Sequence, residues 1–257
     1  MSQIHPTAII HPGAVLGEGC EVGPYAVIGP HVVLGAGCRI HAHAIVDGHT
    51  TMGVGNEVFP FACIGGRTQD LKHKGGVAFV RIGDRNVFRE CCTVHAGTAE
   101  GATTTVGSCN HFLATTHIAH DCQVGSHIIM SNVASIAGHV VVEDHAVLGG
   151  ISAVHQFVRI GRHSMVGGCS KVVQDVAPFM MVDGNPGETR FVNKVGLERG
   201  GFSTDAIAAL TKAYKILFRS GLTTAKALER IESELEPTPE IQHLAAFVRA
   251  SQRGLAK

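Results

Sequence analysis

An apolar residue recurs at every sixth position along most of the chain, and this period constrains the fold more than any other feature. A period of six fits neither an α-helix, with 3.6 residues per turn, nor a simple two-faced strand. It fits short strands joined by tight corners, with three consecutive hexads forming one triangular coil. All 26 positions of the pattern are apolar: Ile4, Ile10, Leu16, Val22, Ile28, Leu34, Ile40, Val46, Met52, Val58, Ile64, Ile82, Phe88, Val94, Val106, Phe112, Ile118, Val124, Met130, Ile136, Val142, Leu148, Val154, Ile160, Val166 and Val172.

Small residues and glycines keep fixed places in the same repeat. A mostly small residue lies four positions after the apolar one, which predicts one large and one small inward side chain per strand. Cys20, Cys38, Cys92 and Cys122 occupy the small position, and free cysteine is among the most buried residue types, so we expect them in the core. Glycine directly follows the apolar residue in twelve hexads, and we interpret these glycines as corners that need unusual dihedrals.

Hexapeptide repeats of this kind specify a parallel β-helix, here of about nine coils. Proteins with this repeat wind left-handed, against the usual right-handed crossover rule. The repeat ends near Pro178, and a helical period begins near Ser203. The predicted fold is therefore mainly β, a left-handed parallel β-helix over residues 1–189 followed by a C-terminal α-helical domain over residues 190–257 that caps its open end.

Two polar, glycine-rich segments interrupt the repeat at residues 65–81 and 97–105. Both preserve the frame of the hexads, so they predict loops ejected from a continuous prism. Long loops on a rigid scaffold tend to carry function.

Composition excludes several classes of protein. The 21 Lys and Arg balance 21 Asp and Glu, and a neutral chain lacks the cations that general nucleic-acid binding needs. No apolar run approaches the roughly 20 residues of a transmembrane segment, and the first residues do not read as a signal peptide. The eight cysteines contain no C-x-x-C pair, so we expect free thiols in the cytoplasm.

Stacking of coils predicts a cluster of histidines. His120, Gly138 and Gln156 are spaced three hexads apart and should form one column on neighbouring coils, with His117, His139 and His155 beside it. Gly138 would leave a backbone N–H open to an oxyanion, and Asp121 could orient the His120 imidazole. Solvated histidines on a polar face are the simpler alternative for any single member of the set.

A second column contains His127, His145 and His163, which have the same spacing of three hexads. We interpret it as a solvated or subunit-contact ladder. A zinc site is the alternative, because imidazoles from adjacent coils or subunits can surround Zn²⁺. The spacing selects no tetrahedral ligand set, and we expect no metal.

Six motifs are narrower than the repeat itself: QDLK at 69–72, IGDRN at 82–86, HIAHDC at 117–122, AGH at 137–139, AVHQF at 153–157 and VGGCS at 166–170. Together they resemble the UDP-N-acetylglucosamine O-acyltransferases, hexapeptide-repeat enzymes that open lipid A and lipopolysaccharide biosynthesis. The resemblance runs nearly end to end. It implies transfer of an (R)-3-hydroxyacyl group from acyl carrier protein to the sugar 3-hydroxyl of UDP-N-acetylglucosamine, without a cofactor, by a homotrimer with sites between neighbouring prisms.

The resemblance also implies residue roles. His120 would be the general base, Asp121 its partner, and the Gly138 amide the oxyanion donor. Gly168 matches the family position that limits acyl length. Side chains expected to hold the sugar and acyl groups are Gln69, Asp70, Lys72, His117, His139, His155 and Gln156.

Asn193 and Arg199 would contact the nucleotide. The family pattern departs here, because Val195 and Gly200 stand where Glu and a second Arg are expected. Lys194 or Arg190 could substitute. Basic residues on the first long helix would suit an acidic carrier protein, or simply form a solvated face: Lys212, Lys215 and Arg219.

Two other functions stay open. One is a related hexapeptide enzyme, the UDP-3-O-acylglucosamine N-acyltransferase, which carries an extra N-terminal domain, whereas the repeats here begin at Ile4. The other is a zinc-dependent enzyme of the γ-carbonic anhydrase type. That class usually lacks the 65–81 loop, and metal analysis would separate it.

Overall fold

The computed structural model describes residues 2–257, in which short strands stack into three parallel sheets, numbered here in chain order. The first sheet contains β1 (Gln3–Ile4), β4 (Glu21–Val22), β7 (Arg39–Ile40), β10 (Glu57–Val58), β13 (Val87–Phe88), β16 (His111–Phe112), β19 (Ile129–Met130), β22 (Val147–Leu148), β25 (Met165–Val166), β27 (Met180–Asp183) and the antiparallel β28 (Glu188–Val192). The second contains β2 (Ile9–Ile10), β5 (Val27–Ile28), β8 (Ile45–Val46), β11 (Cys63–Gly66), β14 (Thr93–His95), β17 (His117–Ile118), β20 (Ser135–Ile136), β23 (Ala153–Val154) and β26 (Lys171–Val172). The third contains β3 (Val15–Leu16), β6 (Val33–Leu34), β9 (His49–Met52), β12 (Phe79–Ile82), β15 (Thr103–Val106), β18 (Gln123–Val124), β21 (Val141–Val142) and β24 (Arg159–Ile160).

The register between strands follows the coil of three hexads. Ile4 pairs with Val22 in the first sheet, and successive strands of each sheet are one coil apart. The fold is a left-handed parallel β-helix, as predicted. We call the turn between the second and third sheets the second corner, and the turn between the third and first sheets the third corner.

The core contains the large and small side chains that the repeat predicts. Phe88 and Phe112 lie on neighbouring coils with ring centroids 5.1 Å apart, and both are fully buried. The four cysteines at the small position are buried as well. The interior is therefore narrow, and it is filled by one large and one small side chain from each strand.

The interpretation of the glycines that follow the apolar residue is confirmed for Gly65, which has φ of +86°, and is wrong for the others. Gly17 and Gly23 have no positive φ; instead a Cβ at Gly23 would lie 2.8 Å from the backbone nitrogen of Ala42 on the next coil. The left-handed conformation occurs two residues later, where side chains such as Tyr25 and His43 accept φ near +60°. These glycines thus allow coils to approach closely, whereas the corners tolerate L-residues.

The two interruptions are shorter loops than predicted, because the flanking strands extend into them. β11 and β12 leave residues 67–78 outside the coils, and β14 and β15 leave residues 96–102. Inward positions on the extended strands are filled by Val80 and Thr104, both buried. The frame of the prism continues across both loops, as expected.

The chain leaves the repeat through a hairpin and four helices. β27 continues the first sheet beyond Pro178, and β28 pairs with it in antiparallel fashion. The helices are α1 (Lys194–Arg199), α2 (Thr204–Arg219), α3 (Thr224–Glu234) and α4 (Pro239–Ala250). The hairpin and α1 are absent from the sequence analysis, and the domain division at residue 189 stays a prediction, since β28 crosses it.

The helical region packs on the last coils. His243 on α4 lies 2.8 Å from a Glu143 carboxylate oxygen, and Phe247 lies under the Arg159 guanidinium at 4.1 Å. Ser203 is the N-cap of α2, close to where the helical period of the sequence begins. Among residues 2–257, the helices fall short of the length and apolarity that crossing a bilayer requires.

The second histidine column stacks into a ladder at the third corner; His127 and His145 are exposed as a solvated ladder requires, whereas His163 is half-buried. His145 stacks between His127 and His163 with ring centroids 4.7 and 4.5 Å away, and His163 also packs against Phe179 and Phe202. Burial, with a smaller effect of His145, lowers the pKa of His163 from 6.5 to about 4. The half-buried end of the ladder is therefore neutral near neutral pH.

This pKa predicts acid sensitivity. Between pH 6.5 and about 4 the unfolded chain takes up a proton at His163 that the folded chain does not, so the free energy of unfolding falls as the pH falls. His163→Phe retains a stacking ring and removes the titration, so its melting temperature should decline less between pH 7 and pH 4.5 than that of the wild type. His127→Phe, at the exposed end, is the control. Parallel declines for wild type and His163→Phe would contradict the assignment.

Candidate active site

A cavity of about 710 Å³ lies beside the second corner, between the second sheet and the 67–78 loop. The adjacent strands β17, β20 and β23 form its floor. Because these strands are one coil apart, side chains three hexads apart in the sequence meet there. Seven of the predicted site residues line the cavity: Gln69, Asp70, Lys72, His117, His120, Gly138 and Gln156.

His120 and Asp121 form a hydrogen-bonded dyad at this corner. Asp121 has φ of +60°, and the turn places its carboxylate Oδ2 2.8 Å from Nδ1 of the preceding His120. The carboxylate can only accept, so Nδ1 carries the proton and Nε2 keeps its lone pair. Both side chains are mostly buried. The arrangement can extract a proton through Nε2 and stabilise the resulting imidazolium.

Gly138 lies directly against the His120 ring, as the column predicts. A Cβ at this position would overlap the imidazole. The Gly138 carbonyl accepts from the Phe157 amide at 3.1 Å, whereas its own N–H has no backbone acceptor within residues 2–257. Gly138 is itself buried but lines the cavity, and this N–H is the donor available to a ligand oxygen there.

His117 and His95 meet deep in the cavity. Their rings are edge to face, 4.9 Å apart, and His117 Nδ1 lies 2.7 Å from the Thr93 hydroxyl. Burial, and then the neighbouring His95, lowers the pKa of His117 to about 4; burial also lowers the pKa of His95. Both rings are thus neutral polar groups near neutral pH. His95 was not predicted, because the 96–102 loop changes the spacing of three hexads by which members of a column are recognised.

The remaining predicted residues of this face lie around the cavity. The His139 ring stacks on Phe157 at 4.6 Å, and its Nε2 is 3.7 Å from Asp121 Oδ2. His155 is exposed, with Nδ1 3.1 Å from the Gln156 carbonyl oxygen. Gly168 is exposed as well, in the turn after β25, and its role stays a prediction.

Asn193 and Arg199 are not brought to this corner. The Asn193 amide donates to the His163 carbonyl at 2.9 Å and its oxygen caps α1 at Gly196 N, 3.2 Å away. Asn193 thus contacts the third corner, and Arg199 is exposed at the end of α1. Within one chain the predicted nucleotide contacts and the dyad belong to different corners.

His120, Asp121 and His139 offer three possible metal ligands within 4.8 Å of one another. A carboxylate and two imidazoles suit Zn²⁺. The short Nδ1 to Oδ2 hydrogen bond already accounts for the approach of the first two side chains. The ladder histidines are instead stacked face to face.

Two family models match the sequence. The model described as Udp N-acetylglucosamine O-acyltransferase, domain 2, matches residues 175–256, and Bacterial transferase hexapeptide (six repeats) matches residues 13–48. The first begins at the final coil and covers the hairpin and the helices. The second lies in the opening coils of the β-helix.

Named relatives match over the whole chain. The acyl-(acyl-carrier-protein)–UDP-N-acetylglucosamine O-acyltransferase of Anaeromyxobacter sp. strain K is 49% identical over 255 residues, 99% of each chain, and that of Paraburkholderia phytofirmans is 49% identical over 262 residues and all of both chains. The solved UDP-N-acetylglucosamine O-acyltransferase of Moraxella catarrhalis is 41% identical with a TM-score of 0.94 and 99% of both chains covered. The enzyme of Bacteroides fragilis is 37% identical with a TM-score of 0.97, covering 99% of this chain and 100% of the other. By sequence and by fold, the chain belongs to the UDP-N-acetylglucosamine O-acyltransferase family.

Proposed function

We propose that the chain transfers an (R)-3-hydroxyacyl group from acyl carrier protein to the 3-hydroxyl of UDP-N-acetylglucosamine, the first step of lipid A biosynthesis. The observation that carries this proposal is the His120–Asp121 dyad, which faces a cavity lined also by Gly138, whose N–H has no backbone acceptor in the described part of the chain. The names of the full-length relatives supply the donor and the acceptor.

The dyad would activate the acceptor hydroxyl. His120 Nε2 takes the hydroxyl proton as the sugar oxygen attacks the thioester carbonyl, and Asp121 stabilises the imidazolium through Nδ1. The Gly138 N–H donates to the oxyanion of the tetrahedral intermediate. When the carbon–sulfur bond breaks, His120 returns the proton to the carrier-protein thiolate. An ester and a free thiol result, and the base is regenerated.

Polar groups around the cavity would hold the substrates. Asp70 and Lys72 reach in from the 67–78 loop, and His117 supplies a neutral ring from β17. Gln69, His139, His155 and Gln156 are proposed as further contacts, and Gly168 as the position where an added side chain would shorten the acyl channel. Lys212 and Lys215 are exposed on α2 and suit an acidic carrier protein, whereas Arg219 donates to the Tyr214 hydroxyl at 2.8 Å.

Comparing acceptors tests the proposed reaction. The wild type is incubated with 3-hydroxyacyl carrier protein and either UDP-N-acetylglucosamine or a UDP-3-O-acylglucosamine with a free amine. We expect ester formation with the first acceptor and at least about a hundredfold lower rate with the second. A site that hydrogen-bonds the free 3-hydroxyl discriminates against an acceptor in which that hydroxyl is acylated. A faster reaction with the amine would favour the N-acyltransferase instead.

We infer a homotrimer in which the nucleotide contacts come from a neighbouring subunit. The support is that Asn193 and Arg199 follow the third corner while the cavity opens at the second corner. A threefold axis can place the third corner of one prism against the second corner of the next. Each site would then be incomplete in a single chain.

Mixed trimers test this arrangement. His120→Ala and Arg199→Ala should each be poorly active alone, while co-expression of the two should restore activity, because a trimer with two copies of one and one of the other contains one site with both intact residues. The transfer rate of the doubly tagged, purified mixture is the measurement. A mixture no more active than the better parent would contradict the shared site.

A further inference from the structure

Thr98, on the 96–102 loop, uses all of its polar groups to connect two parts of the site. Its N–H donates to the Asp121 carboxylate, 3.2 Å from Oδ2. Its carbonyl oxygen lies 2.9 Å from Nδ1 of His73, and its hydroxyl lies 2.9 Å from the hydroxyl of Thr68. His73 and Thr68 both belong to the neighbouring 67–78 loop. A single residue therefore joins that loop to the dyad.

On the loop side, these contacts fix the turn that carries Asp70. The Thr68 hydroxyl accepts from the Asp70 N–H at 3.1 Å. The Asp70 side chain accepts from the Lys72 N–H at 2.9 Å, and the Asp70 carbonyl accepts from the His73 N–H at 3.0 Å. Thr68 is buried, so its hydroxyl has no ready substitute in water.

On the dyad side, Asp121 is held at two points, one on the 96–102 loop and one on β15. Thr98 donates to its carboxylate, and the buried hydroxyl of Thr104 accepts from its backbone N–H at 2.8 Å. The Asp121 carboxylate in turn holds His120 Nδ1. The far nitrogen, His120 Nε2, lies 4.0 Å from Asp70 Oδ2. Hydrogen bonds thus run from Asp70 through Thr98 to His120, and the two ends face each other across this gap; we call the arrangement the ring.

We propose that Thr98 is a positioning residue, and that this ring sets the gap between Asp70 and His120 in which the acceptor hydroxyl is deprotonated. The inference rests on the proposed function, because the ring matters to catalysis only if a substrate occupies that gap. Hydrogen bonds in a connected, partly buried network support one another. The placement of the 67–78 loop and the orientation of His120 are therefore coupled.

A substitution in the 67–78 loop tests whether the ring couples the loop to the dyad. Thr68 touches neither the substrate gap nor the dyad. If the 67–78 loop and the dyad acted independently, Thr68→Val would raise KM for the sugar nucleotide and leave kcat unchanged. The ring predicts that kcat also falls, by about tenfold, because His120 loses its fixed geometry. A kcat within twofold of wild type would overturn the proposal.

A double-mutant cycle with Thr98→Val sharpens the test. Thr68→Val and Thr98→Val break the same hydrogen bond, so the double variant should be no worse than the poorer single one. Thr98→Ser retains the hydroxyl and should recover most of the rate. Thr103→Val, half-buried on the opposite face of β15 from Thr104, is the matched control. The ring would be overturned if the rate losses of the two single variants multiplied in the double variant, or if Thr98→Ser did not recover the rate.

Hydrogen exchange gives a readout that does not depend on turnover. In Thr68→Val, amides of residues 97–105 should exchange at least about tenfold faster than in wild type or Thr103→Val, because the 96–102 loop loses its anchor. Unchanged exchange would overturn the ring even if the enzyme is active. A wild type without transfer activity would overturn the proposed function, and exchange would still decide the ring.

Discussion

Replacing His120 with alanine is expected to lower kcat for acyl transfer by 10² to 10⁴-fold, the range typical of a lost general base. The acceptor is an uncharged alcohol, which attacks a thioester poorly while it keeps its proton. Nε2 of His120 is the ring nitrogen left free by the Asp121 hydrogen bond, and His120 lines the cavity. The variant has no imidazole at this position to take the hydroxyl proton.

Initial rates at saturating substrates provide the measurement, and the melting temperature shows whether the variant is folded. His5→Ala is the matched control, since it removes an exposed imidazole in the first coil, outside the cavity. Its rate should stay within twofold of wild type. If His120→Ala retains near wild-type turnover, another group is the base and the mechanism is wrong.

A methyl group at Gly138 should be nearly as damaging. A Cβ there would overlap the His120 ring, so Gly138→Ala must displace the base or shift a coil backbone. A displacement of about 1 Å at a catalytic group can cost about a hundredfold in rate, and crowding at the amide also impairs the oxyanion contact. We expect kcat/KM to fall at least about a hundredfold.

Gly150→Ala separates this effect from general strain in the turn. Gly150 holds the equivalent turn position after β22, where a Cβ would come within 3.2 Å only of the Asn132 carbonyl oxygen. We expect that control to lose less than tenfold in kcat/KM. Equal losses in the two variants would show that Gly138 serves the backbone rather than the chemistry.

The repeat made the coils predictable because burial in a narrow triangular core dictates the residue type at every sixth position. The sign of φ at the corners leaves no such signal, since Tyr25 and Asp121 adopt a conformation usually associated with glycine. Most glycines of the repeat were therefore wrongly interpreted as corners that need unusual dihedrals. Their actual constraint, the approach of the next coil, depends on atoms a full coil away in the sequence.

The loops and the C-terminal elements were harder for related reasons. The hydrogen bonds of Thr98 join residues 23 to 30 positions apart with no period, so nothing in the sequence points to them. α1 is short and contains Gly196, a poor helix former, and the Asn193 cap supports its first turn. The histidine column was predictable because coil stacking brought His120 and Gly138 together.

The most direct test of the central claim is positional analysis of the product by NMR. Wild-type chain, 3-hydroxyacyl carrier protein and UDP-N-acetylglucosamine should give an ester at the sugar 3-hydroxyl with one equivalent of free carrier-protein thiol. His120→Ala should give neither above background over the same time. Absence of a 3-O-ester from the wild type, or its formation at an equal rate by the variant, would contradict the account.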